Sequence, residues 1–479
     1  LAWPYKDCVL EGGMTKEDQK RDEIFYNETL APDDINRLLD AKVFTNFKRI
    51  DKKGEHKLDG FNRDEKGTIK DNLIIKGNNL LAVASLKKEF AGKVKLIYID
   101  PPFNTGGDSF NYNDSFNHSS WLVFMKNRLE QAKKLLTDDG NIYIHIDINE
   151  SHYLKVLCDD VFDRENFVEE IIWAYGSPSG GRAAGAKPVN IHDYILHYAK
   201  KYQGRKQNKI FTPYSEKYIA DWFKYKEADG RLYRRRMRGR DENGVVQWEK
   251  QYLDESKGLP LTTVWNDIKQ VYADPRAYKE NQSEHVELIK GFRTQKPEKL
   301  LQRIIEMASD SGDIILDFHL GSGTTCAVAH KIGRQYIGVE QMYYGENDPV
   351  ARIADVVNGD KTGISKDVNW KGGGDFVYME LAKWNEEWVE KIEKAKTGKE
   401  LVKLWDGMKE TAFLSYKVEP KTIDENAKDF SDLSIADQKK FLIECLDKNQ
   451  LYINLSEVED KEYGVSKEDQ KLNKEFYDR

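Results

Sequence analysis

The chain has 479 residues, 33% charged and 39% hydrophobic, which leaves room for about three domains and is too apolar for a disordered chain. Its 75 Lys and Arg against 82 Asp and Glu leave a net charge of −7, and no run approaches the roughly 18 apolar residues of a membrane span. Cys8, Cys158, Cys326 and Cys445 lie far apart with no C-x-x-C pair, which argues against a zinc module or a disulfide framework and for a reducing cytoplasm.

The start, Leu1-Ala2-Trp3-Pro4-Tyr5, has no basic head, no apolar signal core and no initiator Met, so secretion is not expected and the start reads as trimmed. Residues 1–70 are charged and weakly periodic, an N-terminal arm with helix-like pieces at Thr15–Leu30 and Pro32–Leu39 and a linker at Asp51–Gly67. Strands are then expected at 73–77, 94–100 and 141–146, alternating with helices at 79–90, 119–136 and 150–161, the rhythm of βα units and a largely parallel sheet. The rhythm fades after Tyr198 and returns with a helix at 297–308, a strand at 313–317, a helix at 324–332 and a strand at 336–339. One α/β sheet is thus split into halves at 71–176 and 292–380 by an insert at 177–291. Helical segments at 383–396 and 434–446 make 381–479 a helix-rich C-terminal region.

Charge is unevenly spread. From Lys201 to Arg240 there are thirteen Lys and Arg against four Asp and Glu, whereas Leu381–Arg479 carries eighteen against twenty-three.

Two motifs carry chemistry. In Asp317-Phe318-His319-Leu320-Gly321-Ser322-Gly323-Thr324 a strand turns through paired glycines into a helix. Glycines let the backbone approach a ligand closely, and the helix start offers free N–H groups. Glu340 ends the next strand, where a carboxylate can grip ribose hydroxyls. The third glycine of the dinucleotide fingerprint is missing, which favours a nucleoside cofactor without a pyrophosphate, such as S-adenosyl-L-methionine. The second motif, Asp100-Pro101-Pro102-Phe103, follows directly on a strand. It offers a carboxylate, carbonyls that can only accept, and an aromatic face, which together suit an exocyclic amine on a planar ring.

The two motifs together resemble the amino-group DNA methyltransferases. The catalytic motif precedes the cofactor loop, as in their circularly permuted β group, and Thr294-Gln295-Lys296-Pro297 is similar to that group's T-x-K-P element. The resemblance is closest to the Mod subunits of type III restriction-modification systems. It is carried also by Pro4–Gly13, Asp193–Leu196, Gly372–Phe376 and Leu451–Asn454. It implies a Rossmann-like S-adenosylmethionine-dependent methyltransferase sheet, circularly permuted, with an inserted target-recognition domain. It implies catalysis by Asp100, Pro101, Pro102 and Phe103. Cofactor contacts are implied for Asn78, Asp100, Thr294, Lys296, Pro297, Asp317, His319, Gly321, Ser322, Gly323, Thr324 and Glu340. His319 departs from the family's Phe, and Asn78 from its usual Asp.

The expected reaction is methyl transfer to adenine N6 of a base rotated out of the duplex, with Phe103 as stacking surface and Trp173 as a second wall. Asp at the first catalytic position favours adenine over the alternative, N4 of cytosine; a DNA-reading scaffold for a partner nuclease is the other alternative. Arg231, Arg234, Arg235, Arg236, Arg238 and Arg240 suit phosphate and base contacts. Expected partners are double-stranded DNA, a restriction or translocase subunit and a second copy of the chain; no metal is expected.

Overall fold

The computed structural model describes residues 3, 6, 8, 37–106, 114–176, 188–271, 294–345, 348–416 and 418–477. The expected helix at 15–30, most of that at 32–39, and nearly all of the Pro4–Gly13 element lie outside them. The chain forms two compact units, one of residues 1–206 with 265–479 and one of 207–264.

In the first unit the chain runs through β1 (Phe44–Asp51), β2 (Gly54–Lys57), β3 (Leu73–Lys76), α1 (Asn79–Phe90), β4 (Val94–Ile99), α2 (His118–Leu135), β5 (Leu136–Ile146), α3 (Ser151–Phe162), β6 (Phe167–Ala174) and β7 (His192–Ala199). The second unit holds β8 (Phe211–Thr212), α4 (Glu216–Trp222), β9 (Tyr225–Lys226), β10 (Leu232–Arg240), β11 (Val246–Tyr252) and β12 (Leu259–Pro260). After β13 (Val264–Trp265) come α5 (Glu298–Ala308), β14 (Ile314–Asp317), α6 (Thr324–Lys331), β15 (Gln335–Glu340), α7 (Pro349–Asn358) and β16 (Phe376–Leu381). The C-terminal helices include α8 (Asn385–Lys394), α9 (Gly398–Thr411), α10 (Ile435–Cys445) and α11 (Lys467–Tyr477).

The large sheet has the order β13-β6-β7-β5-β4-β14-β15-β3-β16-β1-β2. Its centre is parallel, from β5 through β4, β14, β15 and β3 to β16. Every residue of β14 and β15 is buried, as expected of parallel strands covered on both faces. From β4 the chain crosses through α2 to β5 on one side; from β14 it crosses through α6 to β15 on the other. The order therefore reverses between β4 and β14, and α/β sheets bind ligands at the carboxyl ends of such strands.

The edges differ from the sequence reading. β7 lies within the expected insert, yet it pairs antiparallel with β5 and β6. Its apolar Ile195, Leu196 and Tyr198 are fully buried, so the sheet claims it. The expected N-terminal arm contributes β1, which pairs antiparallel with β16. Helix α11 packs onto β1: the Asn473 carboxamide accepts from Phe44 N and donates to Phe44 O, both at 2.7 Å. Phe476 meets the ring of Phe44 at 5.1 Å. Among the described residues no helix is long and apolar enough to cross a membrane, and no cluster of ligating side chains could hold a metal ion.

Candidate active site

β4 and β14 lie side by side, with Leu316 opposite Ile97, so their ends bring Asp100 and Asp317 to one crevice although 217 residues separate them (317 − 100). The cavity there is lined by Asp100, Pro101, Pro102 and Phe103 from the first motif, and by Asp317, His319, Gly321, Ser322 and Thr324 from the second. Thr294, Lys296 and Glu340 also line it. Asn78, Pro297 and Gly323 stand behind the wall. Asn78 caps α1, its Oδ1 accepting from Leu80 N at 3.0 Å and Leu81 N at 3.3 Å. Pro297 caps α5. Gly323 turns the loop at φ 81°, where a Cβ would press on Pro349 at 3.1 Å rather than on the cavity.

The Gly loop is tied down by carboxylates. Glu340 Oε2 accepts from Gly321 N at 2.7 Å and Oε1 from Met342 N at 2.8 Å. Burial nevertheless pushes its carboxyl up to about 7, against the lowering effect of these bonds. Asp317 accepts from Thr325 Oγ1 at 2.6 Å and His319 N at 3.0 Å. Burial likewise raises it to about 7. His319, in place of the expected Phe, is also buried; desolvation, with the Arg128 charge adding to it, lowers its pKa well below the ordinary range and keeps it neutral. Asn79 holds it, donating to Phe318 O at 2.9 Å while accepting from Arg128 Nε at 2.7 Å.

Asp100 has two unlike oxygens. Oδ2 accepts from Lys296 Nζ at 2.6 Å, whereas Oδ1 is buried and has no hydrogen-bond partner among the described residues. The same ammonium lies 5.1 Å from the centroid of Phe103. Phe103 stacks on His145 at 5.8 Å. His145 is in turn held by Tyr98 OH at 3.0 Å and Asp193 Oδ2 at 3.1 Å. Trp173, expected as a second wall, is buried with its edge against His145 and donates to Ile268 O at 2.8 Å; it packs the core under the site.

Three further residues escaped the sequence reading. Asp114 lines the cavity and gathers the loop after the motif, accepting from Asn104 N at 2.8 Å, Thr105 N at 3.0 Å and the Thr105 hydroxyl. Arg352 of α7 donates to Thr324 Oγ1 at 2.7 Å and to Glu298 Oε1 at 3.1 Å. Glu298 also takes Lys331 at 2.9 Å, a pair buried on both sides. These contacts tie α5, α6 and α7 behind the Gly loop. No nearby polar spacing marks either residue; the partners are 28 and 54 positions away.

In the second unit β10 and β11 form an antiparallel ribbon with a bulge between Met237 and Gly239. The six arginines divide. Arg231 is answered by Asp254 at 2.7 Å and Glu255 at 2.5 Å, and Arg238 by Glu249. Arg234 is half-buried, donating to Tyr218 OH at 2.6 Å and Gln251 Oε1 at 2.8 Å. Arg235, Arg236 and Arg240 are exposed and make no ion pair among the described residues. Arg235 lies over the Tyr225 ring at 4.7 Å and Arg240 donates to Gly244 O at 2.7 Å, contacts that leave their charges unanswered by any acid among the described residues.

A family model described as DNA methylase matches residues 94–344, a span that includes both motifs and the insert. The chain is 37% identical to the "Probable type III restriction-modification enzyme HindVI Mod subunit" of Haemophilus influenzae, over 97% of this chain and 75% of that protein. It is 30% identical to the StyLTI Mod subunit of Salmonella typhimurium, over 53% of this chain and 49% of that one. Among solved structures, the M1.HpyAVI–SAM complex is 17% identical, covering 59% of this chain and 98% of that chain, with a TM-score of 0.33. The chain belongs to the DNA methylase family, in the group of type III restriction-modification Mod subunits.

Proposed function

We propose that this DNA methyltransferase moves the methyl group of S-adenosyl-L-methionine to N6 of an adenine in duplex DNA. The observation that carries the reading is the convergence, in one cavity, of Asp100–Phe103 with the Gly321 loop and Glu340. The residues present suit the cofactor: Glu340 can accept from ribose hydroxyls, and Lys296 can meet the carboxylate of a methionine moiety. When bound, it supplies an electrophilic methyl on a sulfonium.

The protein's part is to hold the amine. The Asp100 carboxylate and the Pro101 carbonyl accept from its two N–H groups, turning the nitrogen lone pair toward the methyl, and Phe103 stacks on the ring. Positioning and electrostatics then carry the catalysis. The N–C bond forms as the C–S bond breaks with its electron pair to sulfur, and the surplus proton on nitrogen leaves by way of Asp100. Cys326 takes no part, since burial raises its thiol well above the usual range.

Reaching an adenine inside a duplex requires rotating it out, at a cost of a few kcal/mol. The β10–β11 ribbon contributes the phosphate contacts. The work is that of a modification and recognition subunit in the cytoplasm, as a homodimer with a nuclease subunit. Methylation-sensitive sequencing of DNA from cells expressing the protein tests this. N6-methyladenine at one recurrent motif is expected; N4-methylcytosine, or no modification, would overturn it.

A further inference from the structure

The ammonium of Lys296 stands on Asp100 Oδ2 at 2.6 Å and 5.1 Å from the Phe103 centroid. A carboxylate acceptor and an aromatic face are the two features a ring-borne amine needs there. A nitrogen donor of the protein already uses both. Methyl transfer moves positive charge from sulfur onto the amine nitrogen, so an ammonium left beside it opposes the reaction. Lys296 must therefore leave Asp100 before chemistry.

Its destination follows from the charges of the cavity. Asp100, Asp114, Asp317 and Glu340 line it with carboxyl groups, and Lys296 is the one Lys or Arg among the described lining residues. His319 is kept neutral by burial. An anionic group entering this cavity has that ammonium as its natural partner. The lysine backbone stays fixed meanwhile: Pro297 follows it at the start of α5, and Thr324 Oγ1 donates to Lys296 O at 3.3 Å. Only the side chain needs to swing.

We infer that Lys296 is a positioning residue with two stations: it fills the target-amine place on Asp100 until the carboxylate of the cofactor draws it away, so that capture of the base depends on cofactor. This rests on the methyltransferase reading above. It makes cofactor and target DNA bind cooperatively, and such coupling is reciprocal.

The test measures DNA affinity with and without S-adenosylhomocysteine, on a duplex carrying the sequence the protein modifies, for wild type, Lys296→Gln and Lys296→Arg. Wild type should bind at least about fivefold tighter with the thioether present. Lys296→Gln should bind DNA tightly without it and respond less than twofold (~2) to it, whereas Lys296→Arg keeps the dependence. A misfolded variant cannot gain DNA affinity, so a merely structural lysine does not mimic this result. The inference is overturned if wild type binds S-adenosylhomocysteine without coupling, or if Lys296→Gln keeps the wild-type ratio. Failure of the underlying reading looks different: wild type then neither binds S-adenosylhomocysteine nor modifies DNA.

Discussion

Replacing Arg235, Arg236 and Arg240 together by Gln removes the three arginines of the ribbon that are exposed without an ion pair. If each meets one phosphate, the slope of log affinity against log salt on duplex DNA falls by about 0.9 per contact, about 2.7 in all. Raising salt fourfold, from about 50 to 200 mM, should then shrink the wild-type advantage by a factor of about 40, which is 4 raised to the power 2.7. Fluorescence anisotropy on a labelled duplex of arbitrary sequence, titrated at several salt concentrations, reads this without knowledge of the target. The control is Arg231→Gln with Arg238→Gln. Those charges are already answered by Asp254, Glu255 and Glu249, so the slope should change by less than about 1. An unchanged slope in the triple variant, or an equal change in the control, would refute the argument from ion pairing.

Asp100→Ala should abolish methyl transfer while cofactor affinity stays within about tenfold, since the carboxylate acts on the amine; calorimetry beside a transfer assay checks it, and parallel losses would show a cofactor role instead. Burial raises Asp317 from 3.8 to about 7, so between those values the folded form keeps a proton that the unfolded chain has released. Stability contributed by this group therefore falls as pH rises through that window, by about 1.4 kcal/mol per pH unit. Relative to Asp317→Asn, wild type should lose on the order of 3 kcal/mol between about pH 5 and 8 in denaturant unfolding, and parallel pH curves would contradict the assignment. Arg352→Met should cost about 1–3 kcal/mol and weaken cofactor binding together, because Thr324 and Glu298 lose a buried donor; unchanged calorimetric affinity would separate Arg352 from the Gly loop.

The central strands and both motifs were legible because their signals are local. Val94–Ile99 is apolar except for Lys95 and Ile314–Leu316 is apolar throughout, and each runs directly into a carboxylate and a turn. The edges were not. β1 reads Phe-Thr-Asn-Phe-Lys-Arg-Ile-Asp, a pattern with bulged register that joins the sheet between the short β2 and β16, the latter more than 300 positions on. Asp114 and Arg352 carry no motif; their roles exist only where loops and helices converge. The arginine run was legible as charge, but the pairing of β10 with β11 decides which cations stay open. Asn78 was read as a cofactor contact from its place in the pattern; that its Oδ1 also caps α1 follows from the helix start beside it.

The central claim is that Asp100–Phe103 presents an exocyclic amine to a methyl donor held by the Gly321 loop. Mass spectrometry of nucleosides from DNA incubated with the protein and isotopically methyl-labelled S-adenosylmethionine tests it most directly. N6-methyl-2′-deoxyadenosine carrying the label is predicted with wild type and none with Asp100→Ala. Label on another base, or undiminished N6-methyl-2′-deoxyadenosine with the variant, would contradict the account.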